Sequence, residues 1–516
     1  MKSILLTIAS TFALNIYSQP PTIQWQKGFI GSNFNAASSI KQNSDGSYIT
    51  VGNTQSSDGD FTGNHGSYDG WIAKLDATGN TLWKKVVGGS QQDGLNYVIS
   101  TNDGGYIATG FSSSDDGDVS GHHGSTNNND CWIIKFDNLG NIQWQKSLGG
   151  TAGEEGNSIE QTNDGGYIIN ATASSNNGDV TSNHGILDFW AIKIDSIGNI
   201  QWQKTYGGSR FDHSRSMSKT NDGGYIIAGR SYSNNGDVTQ HIDSTNVQNG
   251  WVVKLSSSGS IDWEKSFLES DYTWLESIKQ TSDNGYIIVG HSATSDSLTS
   301  PNALIIKLNV NGTLQWKKSF GGSYLDKLTS VLETNNGEYL ILGNTSSNDG
   351  DITNLKGYQD FWLLNLATNG NLNWQKTYGG TAFDEAYDIQ PTNDGSYILC
   401  GNSGSSDLDV TINPNNPFLP NAWIVKFNSL STDIKKNQQN KNLSIYPNPA
   451  TDILLINTST SLVNESYAIT NTLGQTVLNG KLENEHSSID IQTLQSGIYF
   501  LQIGSKQPQS YKIIKN

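Results

Sequence analysis

One segment of the sequence, from Asp115 to Asp130, combines residue types that can bind a metal ion or transfer protons. It reads DDGDVSGHHGSTNNND and contains four aspartates and two histidines. Clustered carboxylates with nearby backbone oxygens suit a hard cation such as Ca²⁺, and a histidine beside a carboxylate can act in acid–base catalysis. The segment is also compatible with a solvated turn, in which aspartate accepts backbone N–H groups and glycine adopts a positive φ.

The same loop recurs along the chain, which argues against catalysis because an active site needs one asymmetric set of groups. Five copies of the loop keep a Gly-Asp pair, and their aspartates are Asp60, Asp118, Asp179, Asp237 and Asp351. A capped turn and a calcium site at these aspartates both stay open, although the spacing lacks the glutamate that ends an EF-hand loop. Zinc is less favoured, because His65, His123 and His184 lie in loops without cysteine.

A second group of residues interrupts the repetition. The three arginines of the chain all fall within one repeat, and aromatic residues follow them in the next. The candidate ligand-binding residues are Arg210, His213, Arg215, Arg230, Tyr272, Trp274 and His291. Guanidinium groups bind carboxylate or sulfate, and aromatic rings stack on sugars or peptides. This sector is therefore predicted to bind an acidic glycan or a protein loop; the alternative is repeat drift with local ion pairs to Asp212, Glu269 or Glu276.

Catalysis is the competing functional hypothesis. His213 beside Asp212 would act as acid and base in a polysaccharide hydrolase or lyase, although adjacent residues of a strand point to opposite faces. The sequence contains no nucleophile elbow, phosphate-binding loop or zinc signature. We therefore favour a binding protein over an enzyme and assign no catalytic residue.

A sevenfold repeat positions these residues. Each repeat has three conserved positions, which we call anchors. The first is a Trp-x-Lys tripeptide, and the second is a tyrosine 23 residues later. The third is a Trp or Leu followed by two apolar residues, and it stands 12 residues before the next Trp-x-Lys. All variation in length falls between the tyrosine and the third anchor, where the acidic loops lie. The tripeptides begin at Trp25, Trp83, Trp144, Trp202, Trp263, Trp316 and Trp374.

Each repeat contains four strand-like runs, A to D, separated by turn residues such as the Asp103-Gly104 pair of the second repeat. Four antiparallel strands every 53 to 61 residues predict an all-β fold, a seven-bladed β-propeller. The chain begins with a D strand, Ile23 to Phe29, and its last repeat ends after a C strand. The N-terminal strand is therefore predicted to complete blade seven and close the ring, whereas an open solenoid of the same units is the alternative.

The strand order divides the loops between two faces of the disc. The A–B and C–D turns form one face, which we call the turn face. The B–C loops and the D-to-A crossovers form the other, the loop face, where variable loops on a rigid scaffold are expected to carry function. Arg210, Arg215 and Arg230 are all predicted to lie near the loop face.

The end of the chain carries four motifs in a fixed order: YPNPA from Tyr446, LGQ from Leu473, LQSGIYFLQI from Leu494, and KIIK from Lys512. Residues 442–516 thereby resemble the type A C-terminal sorting domain of the type IX secretion system of Bacteroidetes. The resemblance implies a small C-terminal β-sandwich that directs export across the outer membrane, with the secretion machinery as partner.

The rest of the chain is consistent with a secreted or outer-membrane-surface monomer without a transmembrane segment. Residues 1–18 predict a signal peptide, 19–430 the propeller and 431–441 a linker. A formal net charge of −17 argues against nucleic acid or an anionic membrane as partner. No cofactor is predicted beyond possible calcium, and Cys131 and Cys400, which fall in blades two and seven, are predicted not to form a disulfide.

Overall fold

Short runs of apolar and β-branched residues between Asp-Gly and Asn-Gly turns form strands throughout the chain. The computed structural model describes residues 19–242, 247–294, 300–412, 419–428, 444–458, 463–471, 475–503 and 509–516. The predicted signal peptide, 1–18, and linker, 431–441, lie outside these residues. No helix of the described ranges has the length and apolar character needed to cross a membrane.

The described residues divide into two compact units, 19–428 and 444–516. The strands of the first unit are β1 (Ile23–Phe29), β2 (Asn35–Gln42), β3 (Tyr48–Thr54), β4 (Asp69–Leu75), β5 (Thr81–Val87), β6 (Asp93–Ser100), β7 (Tyr106–Ser112), β8 (Asp130–Phe136), β9 (Ile142–Leu148), β10 (Glu154–Gln161), β11 (Tyr167–Ala173), β12 (Asp188–Ile194), β13 (Ile200–Tyr206), β14 (Asp212–Lys219), β15 (Tyr225–Ser231), β16 (Asn249–Leu255), β17 (Ile261–Phe267), β18 (Tyr272–Gln280), β19 (Tyr286–Ala293), β20 (Asn302–Leu308), β21 (Leu314–Phe320), β22 (Asp326–Glu333), β23 (Tyr339–Thr345), β24 (Asp360–Leu366), β25 (Leu372–Tyr378), β26 (Asp384–Pro391), β27 (Tyr397–Ser403) and β28 (Asn421–Phe427).

These strands form seven four-stranded antiparallel sheets, which confirms the seven-bladed β-propeller. Blades one to six use consecutive strands from β2–β5 to β22–β25, and blade seven has the order β1-β28-β27-β26. The N-terminal strand therefore completes blade seven, with Trp25 opposite Lys426. The innermost strands contact one another in a closed ring, so that no blade has an exposed inner edge.

The repeat anchors pack between neighbouring blades. The tryptophans of the third anchor are almost fully buried, and Trp251 and Trp423 each contact a phenylalanine of the preceding blade, with ring centroids 4.7 Å apart. Cys131 and Cys400 are buried and unpaired, as predicted. Large rings therefore pack between the blades alongside the aliphatic residues that form most of the apolar core.

On the turn face, a lysine of the third strand meets an aspartate of the A–B turn in six blades. In blade three, Lys193 Nζ lies 2.8 Å from Asp164 Oδ2, and the hydrogen bond from Lys193 lowers the pKa of Asp164 to about 2. Blade six has Asn365 in place of the lysine, 3.2 Å from Glu338. The other five pairs are Lys74–Asp45, Lys135–Asp103, Lys254–Asp222, Lys307–Asp283 and Lys426–Asp394.

Every innermost strand contains a β-bulge at the same position of the repeat. One residue per bulge is left out of the pairing with the second strand, and these seven residues line the central channel. We call them the channel ring: Ser38, Asn96, Asn157, Arg215, Glu276, Thr329 and Tyr387.

The second unit contains two sheets, with the orders β29-β30-β33 and β32-β31-β34-β35. Apolar residues from both sheets share one core, which confirms the predicted C-terminal β-sandwich. Its strands are β29 (Ser444–Tyr446), β30 (Ile453–Asn457), β31 (Ser466–Asn471), β32 (Thr476–Lys481), β33 (His486–Asp490), β34 (Gly497–Ile503) and β35 (Gln509–Lys515).

Candidate ligand-binding pocket between blades four and five

Four of the predicted ligand-binding residues line one pocket of about 350 Å³ between blades four and five. These residues are His213, Arg230, Tyr272 and Trp274. Four residues that the sequence analysis did not single out complete the wall: Leu187, Phe211, Tyr232 and Gln248. We call this cavity the blade-four pocket.

Strand register explains why these side chains meet. His213 and Arg230 stand directly opposite each other on β14 and β15, and Trp274 stands opposite His291 on β18 and β19. Opposite residues of an antiparallel pair project from the same face of the sheet. Each blade therefore contributes one pair of side chains at its loop end.

The backbone of Gln248 joins the two blades. Its N–H donates to the carbonyl of Asp271 at 2.9 Å, and its carbonyl accepts from the N–H of Thr273 at 2.8 Å. This parallel bridge places Gln248 of blade four beside Tyr272 of blade five. The Gln248 side chain is only 3% exposed, so it forms part of a rigid wall.

The aromatic part of the pocket is a group of nearly parallel rings. Tyr272 and Trp274 have centroids 5.7 Å apart at an interplanar angle of 15°, and Trp274 and His291 have centroids 4.7 Å apart at 22°. All three side chains are half-buried. Such stacking holds the rings in place before a ligand arrives, which reduces the entropy lost on binding.

Arg230 supplies the positive charge of the pocket. The side chain is half-buried, and no carboxylate in the described ranges lies within ion-pair distance of its guanidinium. Burial and the nearby charge of Arg215 lower the pKa of Arg230, but a guanidinium stays protonated at neutral pH. Arg230 therefore forms no ion pair with a carboxylate of the described residues, although the charge of Glu276, which pairs with Arg215, raises the pKa of Arg230 from beyond ion-pair distance.

Three buried polar atoms of this sector have no hydrogen-bond partner among the described residues: Nδ1 of His213, Oε1 of Gln248 and Nδ1 of His291. Burial, together with the charges of Arg215 and Arg230, lowers the pKa of His213 to about 3. Burial likewise lowers the pKa of His291 to about 4. Both imidazoles are therefore neutral at neutral pH and can each donate one hydrogen bond and accept another.

The predicted pairing of His213 with Asp212 does not occur. Asp212 is fully buried, and its carboxylate accepts hydrogen bonds from Ser231 Oγ, Ser233 Oγ and the backbone N–H of Gly208. His213 faces the pocket on the other side of the strand, as strand alternation requires. Within the described residues, no carboxylate lines this pocket.

The remaining predicted residues lie around the pocket rather than in it. The guanidinium carbon of Arg210 lies 5.5 Å from the ring centroid of Tyr232, so Arg210 supports one wall. Arg215 belongs to the channel ring and pairs there with Glu276 at 3.4 Å. Of the ion pairs that the alternative interpretation invoked, this one is present, whereas Glu269 pairs with Lys317.

The four missed residues had weak signals in the sequence. Tyr232 follows Arg230 by two positions, one residue beyond the end of β15, where strand alternation places it on the same face as Arg230. Phe211 occupies the repeat position of Tyr272, immediately before the first buried residue of the innermost strand, and Leu187 and Gln248 occupy the corresponding position before the third strand. The contacts between blades that bring them together depend on closure of the ring.

The Gly-Asp aspartates have one shared structural role. In each of the five loops the aspartate accepts a hydrogen bond from a backbone N–H of the preceding crossover and donates its own N–H to the carbonyl of the same residue. The side-chain bonds run from Ile30 to Asp60 (2.8 Å), Gly88 to Asp118 (3.3 Å), Gly149 to Asp179 (3.2 Å), Gly207 to Asp237 (3.2 Å) and Gly321 to Asp351 (3.0 Å).

This pair of hydrogen bonds, which we call the Gly-Asp clamp, gives the recurring loop a structural role. The glycine before each aspartate has a positive φ, for example +65° at Gly117, as the turn interpretation requires. Within the described ranges, no three His, Cys, Asp or Glu side chains are grouped as metal ligands. Calcium binding at these aspartates stays a prediction.

The loop histidines also contact buried carboxylates. His65 Nδ1 lies 2.9 Å from Asp69 Oδ2, His123 Nδ1 lies 2.9 Å from Asp130 Oδ2, and His184 Nδ1 lies 2.7 Å from Asp188 Oδ2. The three pairs occupy the same position in blades one to three. Their repetition resembles that of the Gly-Asp clamp and gives no single blade a distinctive site.

Comparison with known proteins identifies the C-terminal unit. Residues 444–516 match the model of the secretion system C-terminal sorting domain. No curated protein matches the chain. The match covers the second unit and leaves the propeller without a family assignment.

Several solved structures resemble the chain in backbone. One is a polysaccharide lyase, the PL25 ulvan lyase, bound to a GlcA–Rha3S saccharide, with 9% identity over 79% of this chain and 96% of the lyase and a TM-score of 0.46. Another is YCF48 bound to D1 peptide, with 8% identity over 81% and 99% and a TM-score of 0.42. A third is PorZ, a surface component of the type IX secretion system of Porphyromonas gingivalis, with 9% identity over 93% and 81% and a TM-score of 0.22.

At these identities no property of those proteins carries over to this chain. The sorting motifs, the matching domain model and the sheet order of the first unit are independent observations on this sequence. The chain is a seven-bladed β-propeller that carries a type IX secretion sorting domain and is exported to the cell surface or beyond it.

Proposed function

We propose that the exported propeller is a monomeric binding or adhesion module and that its ligand is an acidic glycan held in the blade-four pocket. The observation that carries the proposal is the unpaired, half-buried guanidinium of Arg230 beside unsatisfied polar atoms of His213 and Gln248. Each buried polar group without a partner costs about 1–3 kcal/mol. A ligand that supplies a negative charge and hydrogen-bonding groups would offset that cost.

A glycan suits this pocket better than a protein loop. The volume of about 350 Å³ is at the lower end of small-molecule sites, and sugar rings combine apolar faces for Tyr272 and Trp274 with hydroxyls for the polar wall. The geometry offers less support to a hydrolase or lyase. His213, with its pKa near 3, is a weak base, and the described lining contains no carboxylate to assist it.

The test is a glycan array probed with the full secreted protein, first in calcium and then in chelator. We expect acidic glycans to bind and neutral glycans to bind weakly or not at all, with no effect of the chelator. Arg230→Ala should abolish binding. Lys219→Ala is the matched control, because it removes a positive charge from the exposed turn-face end of the same strand pair.

Two results would contradict the proposal. If the Arg230→Ala protein bound acidic glycans as well as the natural protein does, the blade-four pocket would not be the binding site. If no glycan bound at all, a protein partner would be favoured. Binding lost in chelator would instead assign a calcium-dependent role to the Gly-Asp loops.

A further inference from the structure

The blade-four pocket can be specified further, on the premise that the proposed function holds. We propose that it recognises a uronic acid residue, with the carboxylate on Arg230 and a ring hydroxyl donating to Gln248. The charge, the hydrogen-bonding pattern and the size of the pocket each narrow the ligand chemistry. The conclusion comes from the groups that the fold leaves without partners.

The charge of the pocket points to a single planar anion. Arg230 is the one cationic side chain in the described lining. A guanidinium forms two parallel N–H···O bonds with a carboxylate. A sulfate ester has three terminal oxygens in a tetrahedral arrangement, and the neutral imidazole of His213, the histidine in the described lining, provides no second charge for the oxygen left over. One guanidinium therefore fits a carboxylate better than a sulfate.

The side-chain oxygen of Gln248 requires a ligand that also donates hydrogen bonds. Gln248 Oε1 lies buried in the wall, and no described residue donates a hydrogen bond to it; an isolated carboxylate or phosphate would leave it unsatisfied. His213 Nδ1 has the same need for a hydroxyl, because a neutral imidazole nitrogen can donate to it or accept from it. A uronic acid carries a carboxylate and free hydroxyls on one rigid ring.

The aromatic groups fix the orientation of that ring. Tyr272 and Trp274 line the pocket together with Phe211 and Leu187, and Tyr272 is joined to Gln248 through the backbone bridge. An apolar sugar face against these rings would direct the carboxylate to Arg230 and a hydroxyl to Gln248. Both polar contacts and the stacking contact would thus be made by one sugar residue.

The experiment is isothermal titration calorimetry of the full secreted protein with trimers of galacturonate, glucuronate, mannuronate and guluronate. The comparison ligands are the carboxyl-reduced form of each trimer and a sulfated neutral trimer. At least one uronide should bind, and carboxyl reduction should weaken it by about 30-fold or more, the size expected for loss of a buried charged hydrogen bond.

Three variants separate the two polar contacts. Arg230→Ala should lose about as much affinity as carboxyl reduction does, and the two changes should not be additive, because they remove the same contact. Arg230→Lys keeps the positive charge but cannot form two parallel hydrogen bonds with a carboxylate. Its affinity should lie between those of the natural protein and Arg230→Ala. Gln248→Leu should weaken binding by about 10-fold and add to the effect of carboxyl reduction, since it removes a different contact. Thermal unfolding of each variant checks that the propeller remains folded.

The outcomes distinguish the two proposals. If the carboxyl-reduced trimer binds as well as the uronide, the uronate assignment is wrong. If the sulfated trimer binds better than the uronide, the uronate assignment is also wrong, but the acidic-glycan function survives. If Arg230→Ala and carboxyl reduction prove additive, the carboxylate does not lie on Arg230. If none of the ligands binds, the proposed function fails with it.

Discussion

Charged side chains have different surroundings on the turn face and in the blade-four pocket: they are paired on the first and unpaired in the second. On the turn face, a lysine meets an aspartate in six of seven blades, as Lys307 meets Asp283 at 2.8 Å, and five of these six lysines are buried. In the pocket, Arg230 is half-buried, and no carboxylate of the described residues lies within ion-pair distance of its guanidinium. A charge with a partner can be part of the scaffold, whereas an unpaired one lowers stability and is expected where function benefits.

The comparison also separates repetition from function. The lysine pairs, the Gly-Asp clamps and the channel-ring bulges recur around the ring, and each is satisfied by hydrogen bonds within the fold. The pocket contains His213, Arg230 and Trp274, which no other blade carries at the same repeat positions. Function in this propeller is therefore expected where a repeat position carries a residue that the fold does not satisfy.

The largest expected effect comes from breaking a turn-face pair. Asp283→Ala should lower the free energy of unfolding by about 3 kcal/mol, because it leaves the Lys307 ammonium, 3% exposed, with only the carbonyl of Leu308. Lys307→Asn combined with Asp283→Asn removes both charges and should cost less than the single change. Urea unfolding of the full protein measures both. A single variant no less stable than the double would show that the pair is not part of the scaffold.

A second test concerns the buried Asp360. Its Oδ2 accepts from the backbone N–H of Lys356, and its Oδ1 has no hydrogen-bond partner among the described residues. Burial, opposed by Lys356 and reinforced by the carboxylates of Asp384 and Asp409, raises the pKa of Asp360 to about 7, from an ordinary value of 3.8. Because the folded state holds this proton more tightly than the unfolded chain, the resulting stability is complete below about pH 4 and is lost as the pH rises through 7.

Asp360→Asn should therefore stabilise the protein at pH 8, by about 2 kcal/mol, and by much less at pH 5. The amide oxygen can still accept the N–H of Lys356. The same repeat position already carries asparagine in blades four, five and seven, at Asn249, Asn302 and Asn421. Urea unfolding at the two pH values is the measurement, and an equal effect at both would mean that Asp360 is ionised throughout.

The third test compares the two neighbouring arginines. Arg230→Met should leave the free energy of unfolding unchanged or raise it, by about 1 kcal/mol at most, because it removes an unpaired half-buried charge. Arg215→Met should lower it by about 1 kcal/mol, since it removes the partner of Glu276. Thermal unfolding ranks the two variants. The opposite ranking would mean that Arg230 is a scaffold residue.

The smallest effect is expected at the Gly-Asp clamp. Asp118→Asn should change the free energy of unfolding by less than about 0.5 kcal/mol, because an amide oxygen can also accept the N–H of Gly88. A chelator should not change the melting temperature of either protein. A melting temperature that falls in chelator for the natural protein but not for the variant would establish calcium at this loop.

Much of the fold was predictable from the sequence because its signals are local. The spacing of Trp25 from Tyr48, repeated seven times, identifies the blade, and the unmatched first and last strands predict closure. The site was predictable only in part. His213 and Arg230 pair through the register set by a tight A–B turn, but the bulge that turns Arg215 into the channel adds one residue without a sequence signal of its own.

The sequence by itself determined the seven blades, the closing strand, the export domain and the sector in which the repetition fails. Only the tertiary structure decided which of those residues form a pocket. Gln248 and Tyr272 meet across two blades, and Glu276 forms its ion pair with Arg215 rather than with Arg230. Such contacts arise between repeats after the ring closes, whereas sequence periodicity reports only the pairing within each repeat.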